Sequence, residues 1–194
     1  MILYYTPGAC SLADHIALHE AGLSFDRVKV DLRNHTTADG ADFTAINPKG
    51  YVPALSLDGG ELLTENIAIL SWIADQAPGL APTGALGRYR LLEVLAFIST
   101  EIHKAFKPFF AGAGDAEKAK AGEVIAKRLG LLAGEMKGDY IFGSAAGVAD
   151  AYLFVILTWA KSNQVAISEP LPAFFERMKG RPAVQLALKH EGLA

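Results

Sequence analysis

The only cysteine of this 194-residue chain, Cys10, is the residue best suited to nucleophilic chemistry. It lies between a predicted strand and a predicted helix, so its sulfur should sit at the helix N-terminus. Free backbone N–H groups and the helix dipole favour a thiolate there, and the thiolate is the reactive form. Residues 10–13 (CSLA) occupy the place of a C-x-x-C redox motif without its second cysteine, so a mixed disulfide could form but could not be resolved within the chain. A buried, inert cysteine is the alternative reading.

Pro53 is a second position with a chemical implication, because it immediately precedes a predicted strand. A cis Val52–Pro53 bond would turn the backbone of Val52 outward. Its N–H and C=O groups could then pair with an extended, peptide-like ligand. Most X–Pro bonds are trans, and a trans proline would mark only the edge of the strand. The residues alone therefore favour the trans form.

Composition and charge limit the class of protein. Hydrophobic residues make up 51% of the chain and charged residues 20%, so we expect a full core rather than disorder. A net charge of −3 without a basic stripe argues against nucleic acid as a main partner. No apolar run approaches the ~18 to 20 residues of a membrane span, and we expect no signal peptide. One cysteine cannot form an intrachain disulfide, so the reducing cytoplasm is the expected compartment.

Short strands and helices must position Cys10 and Pro53 in the first third of the chain. Hydrophobic periodicity and turn residues predict the order β-α-β-α-β-β-α. The predicted strands are residues 2–6, 25–30, 54–57 and 61–63, and the predicted helices are 11–21, 42–46 and 65–75. Residues 34–40 form a predicted polar loop, and Thr64 is expected to cap the last of these helices.

The remainder of the chain has the pattern of a helical bundle. Apolar residues from Leu91 to Phe106 recur at helical spacing, and Pro108 should bend or end that long helix. Asp115 is expected to cap a second helix. Residues 148–160 are apolar nearly all round, as in the buried central helix of a bundle. Two shorter helices are predicted at 171–178 and 183–189.

These patterns predict an α/β plus all-α fold. The α/β domain covers residues 1–77, a linker rich in proline and glycine covers 78–86, and an all-helical domain covers 87–194.

Asp150 and Trp159 have structural interpretations. Asp150 lies three residues after Gly147, where it can accept a hydrogen bond back at the helix start as in a capping box. Gly147 cannot supply the reciprocal hydroxyl, so half of that device is missing. We interpret Trp159 as a packing residue, and His15 as a packing or surface residue.

Four sequence segments together point to one family of enzymes. The chain resembles the soluble glutathione transferases in segments that occur in the same order: TPGACSL, INPKGYVPAL, LTENIAIL and VADAYLF. Cys10, together with His103-Lys104 in the first long helix, is similar to the bacterial beta class. The resemblance spans essentially the whole chain. It implies a thioredoxin-like N-terminal domain, glutathione as cosubstrate, a homodimer and a cis peptide bond before Pro53.

The resemblance also implies a glutathione site. Its residues would be Cys10, Val52, Glu65, Asn66, Thr100, Glu101 and His103, with Cys10 and His103 as the catalytic pair. The backbone of Val52 would pair with the cysteinyl part of glutathione. Glu65 would take the ammonium group, while N–H groups in the first helical turn hold the γ-glutamyl carboxylate. Glu101 would reach the ligand of the neighbouring subunit.

His103 borders the apolar stripe of the long helix. The residues alone favour a solvated histidine, whereas the resemblance places it opposite the ligand thiol. A neutral imidazole at that place could hydrogen-bond or deprotonate the glutathione sulfur.

Four positions depart from the family pattern. His35 replaces a frequent lysine and Asn66 a small residue. Ala96 stands where some members have asparagine, and Ser162 where a second histidine can line the acceptor pocket. The thiol chemistry survives these changes, but the affinity for glutathione and the choice of acceptor need not.

The sequence therefore predicts a glutathione S-transferase that conjugates glutathione to small hydrophobic electrophiles, with thiol–disulfide exchange through Cys10 as a further reaction and no metal. The expected acceptor pocket consists of Phe106, Phe109, Phe110 and Trp159, although the same aromatic residues could form core. Two alternatives stay open. One is a glutathione-dependent disulfide reductase, peroxidase or reductive dehalogenase, and the other is a non-catalytic protein that binds glutathione or hydrophobic ligands.

Overall fold

A five-stranded mixed sheet organises the first third of the chain in the computed structural model, which describes residues 1–194. Its strands lie in the order β3-β2-β1-β4-β5. They are β1 (Ile2–Tyr5), β2 (Asp26–Asp31), β3 (Thr36–Thr37), β4 (Ala54–Ser56) and β5 (Leu62–Thr64). β1 is parallel to β2 and antiparallel to β4, and the other pairs are antiparallel. The predicted hairpin of 54–57 and 61–63 is confirmed.

Two helices pack against this sheet. The first of them also packs against helices of the second part of the chain. α1 (Ser11–Glu20) makes the crossover that the parallel β1–β2 pair requires, and α2 (Asn66–Gln76) packs beside it. Every residue from 11 to 18 is buried, because α1 also packs against two helices of the second part of the chain. Residues at the start of α1 therefore lie between the sheet and the helical part.

Six helices form the second part of the chain. They are α3 (Gly87–Phe97), α4 (Lys107–Phe110), α5 (Asp115–Glu135), α6 (Val148–Ser162), α7 (Leu171–Lys179) and α8 (Pro182–Glu191). Between α3 and α4 the chain stays helical but changes its winding, with a π turn at Ile98–Ile102 and a 3₁₀ turn at His103–Phe106. The predicted long helix thus loses regular α geometry well before Pro108, which lies in the first turn of α4 where it needs no N–H donor.

One core joins the sheet and the helices. A continuous cluster of 43 buried residues runs from Leu3 of β1 to Leu188 of α8, and α6 is buried nearly all round, as predicted. The opposite face of the sheet carries a separate cluster of five residues that includes Val52 and Phe43. None of the helices combines the length and the apolar character that crossing a membrane would need.

The α/β plus all-α class is confirmed, while three local predictions are wrong. Thr64 does not cap α2, since it is the last residue of β5, and α2 begins at Asn66 after Glu65. Asp115 is the first residue of α5 rather than its cap, which is Gly114. The predicted loop 34–40 contains β3, because its short segment pairs with the end of β2. The domain limits at 77 and 87 stay a prediction.

Asp150 has the structural role predicted for it. The carboxylate accepts hydrogen bonds from the backbone N–H groups of Gly147 (2.8 Å) and Ile141 (2.9 Å), and it is fully buried. One bond closes the start of α6, and the other ties the preceding loop to that helix.

Candidate functional site

Cys10 lies directly before the first residue of α1, as predicted, but its thiol is not ionised. Burial raises the pKa of Cys10 to about 12, and the charge of Asp14 adds to that effect. Hydrogen bonds from the backbone N–H groups of residues 10 and 11 lower the pKa by less. The thiol donates to the carbonyl oxygen of Val52 at 3.5 Å. The expected thiolate is therefore wrong for the ligand-free protein, whose Cys10 is a hydrogen-bond donor at neutral pH.

Val52 presents backbone groups beside this thiol. The Val52–Pro53 bond is cis, as the resemblance implies. The side chain of Val52 is buried in the five-residue cluster, whereas its N–H group donates to no other group of the chain. An unpaired N–H next to a lightly engaged carbonyl can accept an extended ligand by strand addition.

Glu65 is held by two side chains from the same sequence motif as Pro53. Its Oε1 accepts hydrogen bonds from Lys49 Nζ (2.6 Å) and Tyr51 Oη (2.7 Å). These two bonds, in that order of importance, lower the pKa of Glu65, so the group is a carboxylate at neutral pH. Glu65 adopts a φ of 74°, an uncommon value for a residue other than glycine. The side chain is half exposed and can exchange these partners for a ligand ammonium group.

Asn66 connects α2 to Cys10. Its Nδ2 donates to the carbonyl oxygen of Cys10 at 3.1 Å, and its buried Oδ1 has no partner. The departure from a small residue at position 66 thus has a structural role. At the same helix start, the first intrahelical N–H donor is that of Ile69 (3.0 Å to the Glu65 carbonyl), so the N–H groups before it are free to bind an anion.

His103 is partly buried, so its interpretation as a solvated histidine is wrong. Nδ1 is 2.7 Å from the hydroxyl oxygen of Tyr152, and the ring packs edge-on against Trp159 with centroids 4.8 Å apart. Burial, and secondarily the charge of Lys104, lowers the pKa of His103 to about 4. The imidazole is therefore neutral at pH 7, and its Nε2 has no hydrogen-bond partner in the chain.

Trp159 connects the histidine to the cysteine segment. The indole Nε1 donates to the carbonyl oxygen of Gly8 at 2.8 Å, two residues before Cys10. The predicted packing role of Trp159 is confirmed, and that packing lies where the sheet part meets the helical part.

Thr100 and Glu101 lie on the π turn just before His103. Thr100 Oγ1 donates to the Ala96 carbonyl at 3.0 Å, and Glu101 forms an ion pair with Arg128 at 2.9 Å. Neither side chain forms a hydrogen bond or ion pair with Cys10, Val52 or Glu65. Their contact with glutathione stays a prediction. π turns inside helices are frequent at functional sites, but no periodicity in the sequence announced this one.

The aromatic residues expected to line an acceptor pocket divide into two groups. Phe106 is fully buried and belongs to the core, so its assignment to a pocket is wrong. Phe110 is 57% exposed, with its ring edge-on to Trp159 at a centroid distance of 5.1 Å. Phe109 borders a cleft of about 510 Å³.

Three side chains that hold the candidate site residues escaped the sequence interpretation. Lys49 and Tyr51, which hold Glu65, lie in INPKGYVPAL, and Tyr152, which holds His103, lies in VADAYLF. All three were present in segments already singled out. They could have been predicted from their polar groups, because each is a polar side chain within a largely apolar segment.

Comparisons with known proteins agree with this geometry. Models of the glutathione S-transferase N-terminal and C-terminal domains match residues 9–76 and 97–182. Glutathione S-transferase GstA of Escherichia coli O157:H7 is 44% identical over 200 residues, which cover 100% of both chains. Among solved structures, a ternary complex of BphK, a bacterial GST, is 48% identical with a TM-score of 0.93. A sphingomonad glutathione S-transferase complexed with glutathione is 51% identical with a TM-score of 0.90, and both alignments cover 100% of each chain.

Proposed function

The chain belongs to the glutathione S-transferase family, and on that premise we propose that it conjugates glutathione to small hydrophobic electrophiles. The observation that carries the proposal is the unpaired backbone N–H of Val52. The carbonyl group of the same residue accepts a hydrogen bond from the Cys10 thiol. The start of α2, with its free N–H groups, is hydrogen-bonded to the backbone of Cys10 through Asn66. This arrangement suits a short peptide that carries a thiol at its centre and a carboxylate and an ammonium group at one end.

Glutathione would bind in an extended conformation along the edge that Val52 presents. The backbone of Val52 would pair with the cysteinyl residue of the ligand. Free N–H groups at the start of α2 would hold the γ-glutamyl carboxylate, and Glu65 would take the ammonium group in place of Lys49. His35 Nδ1 bonds the Gly50 carbonyl at 3.0 Å, so the lysine contact of other family members is replaced by a histidine that supports this loop.

The thiol chemistry would divide between Cys10 and His103. Neutral His103 can act as a general base at Nε2: it takes the proton of the glutathione thiol as the developing sulfur anion attacks the electrophilic carbon and the leaving group departs with its electron pair. The Cys10 thiol, protonated at neutral pH, would donate a hydrogen bond to the sulfur anion. Cys10 therefore acts as a stabilising donor rather than as the nucleophile.

Exposed apolar side chains support the proposed binding surface for the electrophile and the proposed homodimer. Phe110, which is exposed and lies edge-on to Trp159, offers an apolar surface for a hydrophobic electrophile. Leu86 and Tyr89, at the start of α3, are 59% and 66% exposed, and these large apolar side chains support a homodimer. In such a dimer Glu101 would reach the ligand of the partner. The single reduced thiol is consistent with a cytoplasmic location.

The redox alternative depends on a reactive Cys10 thiolate, which burial disfavours. We therefore place disulfide reduction, peroxidase activity and dehalogenation below conjugation. A protein that only binds its ligand would not need the neutral, partner-free Nε2 of His103.

Substitutions at Cys10 and His103 test the proposal. We expect Cys10→Ala to retain conjugation of a chlorinated dinitrobenzene within about tenfold, because the variant loses one hydrogen bond to the sulfur anion, and to lose glutathione-dependent disulfide reduction. We expect His103→Gln to lower the kcat for conjugation by about 10²–10⁴, since it removes the general base. Lys120→Gln, an exposed change on α5, is the matched control.

Three results would contradict the assignment. Loss of conjugation in Cys10→Ala with full activity in His103→Gln would make Cys10 the reacting group. Disulfide reduction that exceeds conjugation in the unmodified protein would favour the redox alternative. Tight glutathione binding without turnover of any electrophile or disulfide would indicate a binding protein.

A further inference from the structure

Three histidines meet where α1 packs against α8, away from the sulfur chemistry. His15 and His19 are four residues apart on one face of α1, and His190 lies in the last turn of α8. Their ring centroids are 5.1 to 5.6 Å apart, and one ligand nitrogen from each ring lies within 4.8 Å of the other two. We call these three residues the histidine cluster.

His15 has the hydrogen-bond pattern of a metal-binding histidine. It is fully buried, and its Nδ1 is 2.8 Å from Glu191 Oε1. A carboxylate can only accept, so Nδ1 carries the proton of the neutral ring and Nε2 presents a lone pair. Nε2 is buried and has no hydrogen-bond partner. Metal-bound histidines nearly always donate their second ring N–H to a carboxylate or carbonyl in this way.

Glu191 is itself fixed in place. Its other oxygen, Oε2, accepts from the backbone N–H of Gly8 at 2.9 Å, and its side chain is fully buried. Glu191 therefore uses both oxygens on partners other than an ion, which makes it a positioning residue for His15 rather than a fourth ligand.

The other two rings are already close to the spacing that one ion requires. His19 Nε2 and His190 Nδ1 are 3.3 Å apart. Two nitrogens bound to one tetrahedral Zn²⁺ at about 2.0–2.1 Å lie roughly 3.3–3.4 Å from each other. Both rings are only partly buried, so an ion could enter from solvent and keep a water molecule in a fourth position.

One cation faces the cluster and must move. Arg27 Nη1, from the exposed start of β2, contacts His190 Nδ1. Because an arginine only donates, Nδ1 of His190 would be the acceptor in this contact. An entering ion would take that lone pair, and the long arginine side chain would swing into solvent.

We propose that His15, His19 and His190 form a binding site for a divalent transition-metal ion of the zinc type, with Glu191 as its positioning residue. Three imidazole nitrogens with an open fourth position suit Zn²⁺ and its neighbours in the series. The sequence predicted no metal and interpreted His15 as packing or surface, because 175 residues separate His15 from His190. The ion would fasten α8 to α1, and this role is independent of the proposed transferase activity.

Zinc titration of the full chain, without an affinity tag and freed of metal by a chelator, tests the proposal. We expect one Zn²⁺ per chain by calorimetry, and a higher melting temperature with zinc because the ion binds only the folded state. His19→Gln and His190→Gln should each weaken zinc binding by at least about tenfold. Glu191→Gln should weaken zinc binding by about 10–100-fold. His35→Gln and Cys10→Ser are the matched controls, and both should bind zinc as the unmodified chain does.

Cobalt(II) provides a readout that needs no substitution in the cluster. The Co²⁺-loaded chain should show tetrahedral d–d absorption without a thiolate charge-transfer band, and the spectrum should be the same in Cys10→Ser. The proposal is overturned if the unmodified chain binds no zinc, or if the double variant His19→Gln/His190→Gln binds it unchanged. It is equally overturned if Co²⁺ shows thiolate ligation or if Cys10→Ser loses the ion.

Discussion

Two opposing influences act on Cys10. The N-terminus of α1 stabilises negative charge, whereas burial and the nearby Asp14 oppose it and raise the pKa to about 12. The position of the thiol could be predicted from the strand–cysteine–helix order. Its protonation could not, because it depends on how closely the helices of the second part cover the start of α1.

Alkylation of Cys10 in the ligand-free protein should therefore be slow at neutral pH. Only the thiolate reacts, so we expect the rate with iodoacetamide to rise about tenfold per pH unit from pH 7 to pH 10 without a plateau. Mass spectrometry of quenched samples measures the rate, with the urea-unfolded chain as control. A plateau below pH 8 would contradict the assignment of Cys10 as a neutral donor.

Asp14 lies one turn further along α1 and has an unusual environment. It is fully buried, and neither carboxylate oxygen has a hydrogen-bond partner. Burial, and secondarily the charge of Glu191, raises the pKa of Asp14 well above its usual value. The folded state thus holds a proton that the unfolded state releases above about pH 4.

The contribution of Asp14 to stability should consequently fall as pH rises above about 4, since at this site the native state binds a proton that the unfolded state has released. Asp14→Asn removes this contribution, so we expect the variant to be more stable at pH 8 by on the order of 1 kcal/mol or more, with little difference near pH 4. Urea unfolding at several pH values measures it. Asp75→Asn, an exposed change on α2, is the control, and an equal effect in both variants would refute the explanation.

The winding of the long helix after α3 shows what periodicity can and cannot predict. The apolar spacing from Leu91 to Phe106 correctly placed Ile98, Ile102 and Phe106 in the core. It did not predict the π turn, because apolar residues four positions apart, such as Ile98 and Ile102, fit a π turn as well as an α turn. The change of winding nevertheless sets the direction of the polar residues next to it, His103 among them.

The start of α2 carries a second feature that local patterns missed. Thr64 looked like a helix cap, yet it pairs with Ala54 in the sheet, and Glu65 makes the turn with a positive φ. Threonine often caps helices, but Thr64 is required in the ladder between β4 and β5, where it pairs with Ala54. Strand pairing therefore determines its position. Sequence reasoning therefore proposed Glu65 as a site residue, which stays a prediction, and placed it on the helix instead of before it.

Asp150 at the start of α6 offers a direct test of helix capping. We expect Asp150→Ala to lower the free energy of unfolding by about 2–4 kcal/mol, because it leaves the N–H groups of Gly147 and Ile141 without partners. Asp150→Asn keeps one acceptor oxygen, so it should lower the free energy of unfolding by less than Asp150→Ala does. Urea unfolding gives both values, with Asp115→Ala at the exposed start of α5 as control. A loss in Asp115→Ala as large as that in Asp150→Ala would contradict the role.

The two parts of the protein share one core and several polar ties. Arg181, just before α8, donates to both oxygens of Glu20 at the end of α1 (2.6 and 2.7 Å), and Trp159 donates to Gly8. The sequence predicted two structural parts because their composition differs. It could not predict how α1 packs between them, or that His15 and His190 would meet.

We therefore expect the full chain to unfold in a single transition by calorimetry and by circular dichroism. A fragment of residues 1–77 should be largely unfolded, since it would expose the face of α1 that packs against α6 and α8. Two resolved transitions, or a folded fragment with a cooperative melt, would show that the parts are stable independently.

The indole of Trp159 can serve as a built-in optical reporter. Its ring lies between His103 and Phe110, and its nitrogen is bonded to the segment that leads to Cys10. The chain has one other tryptophan, Trp72 on α2, so a Trp72→Phe variant would leave a single fluorophore. The emission of that variant would then follow cosubstrate and acceptor docking in real time, without any label.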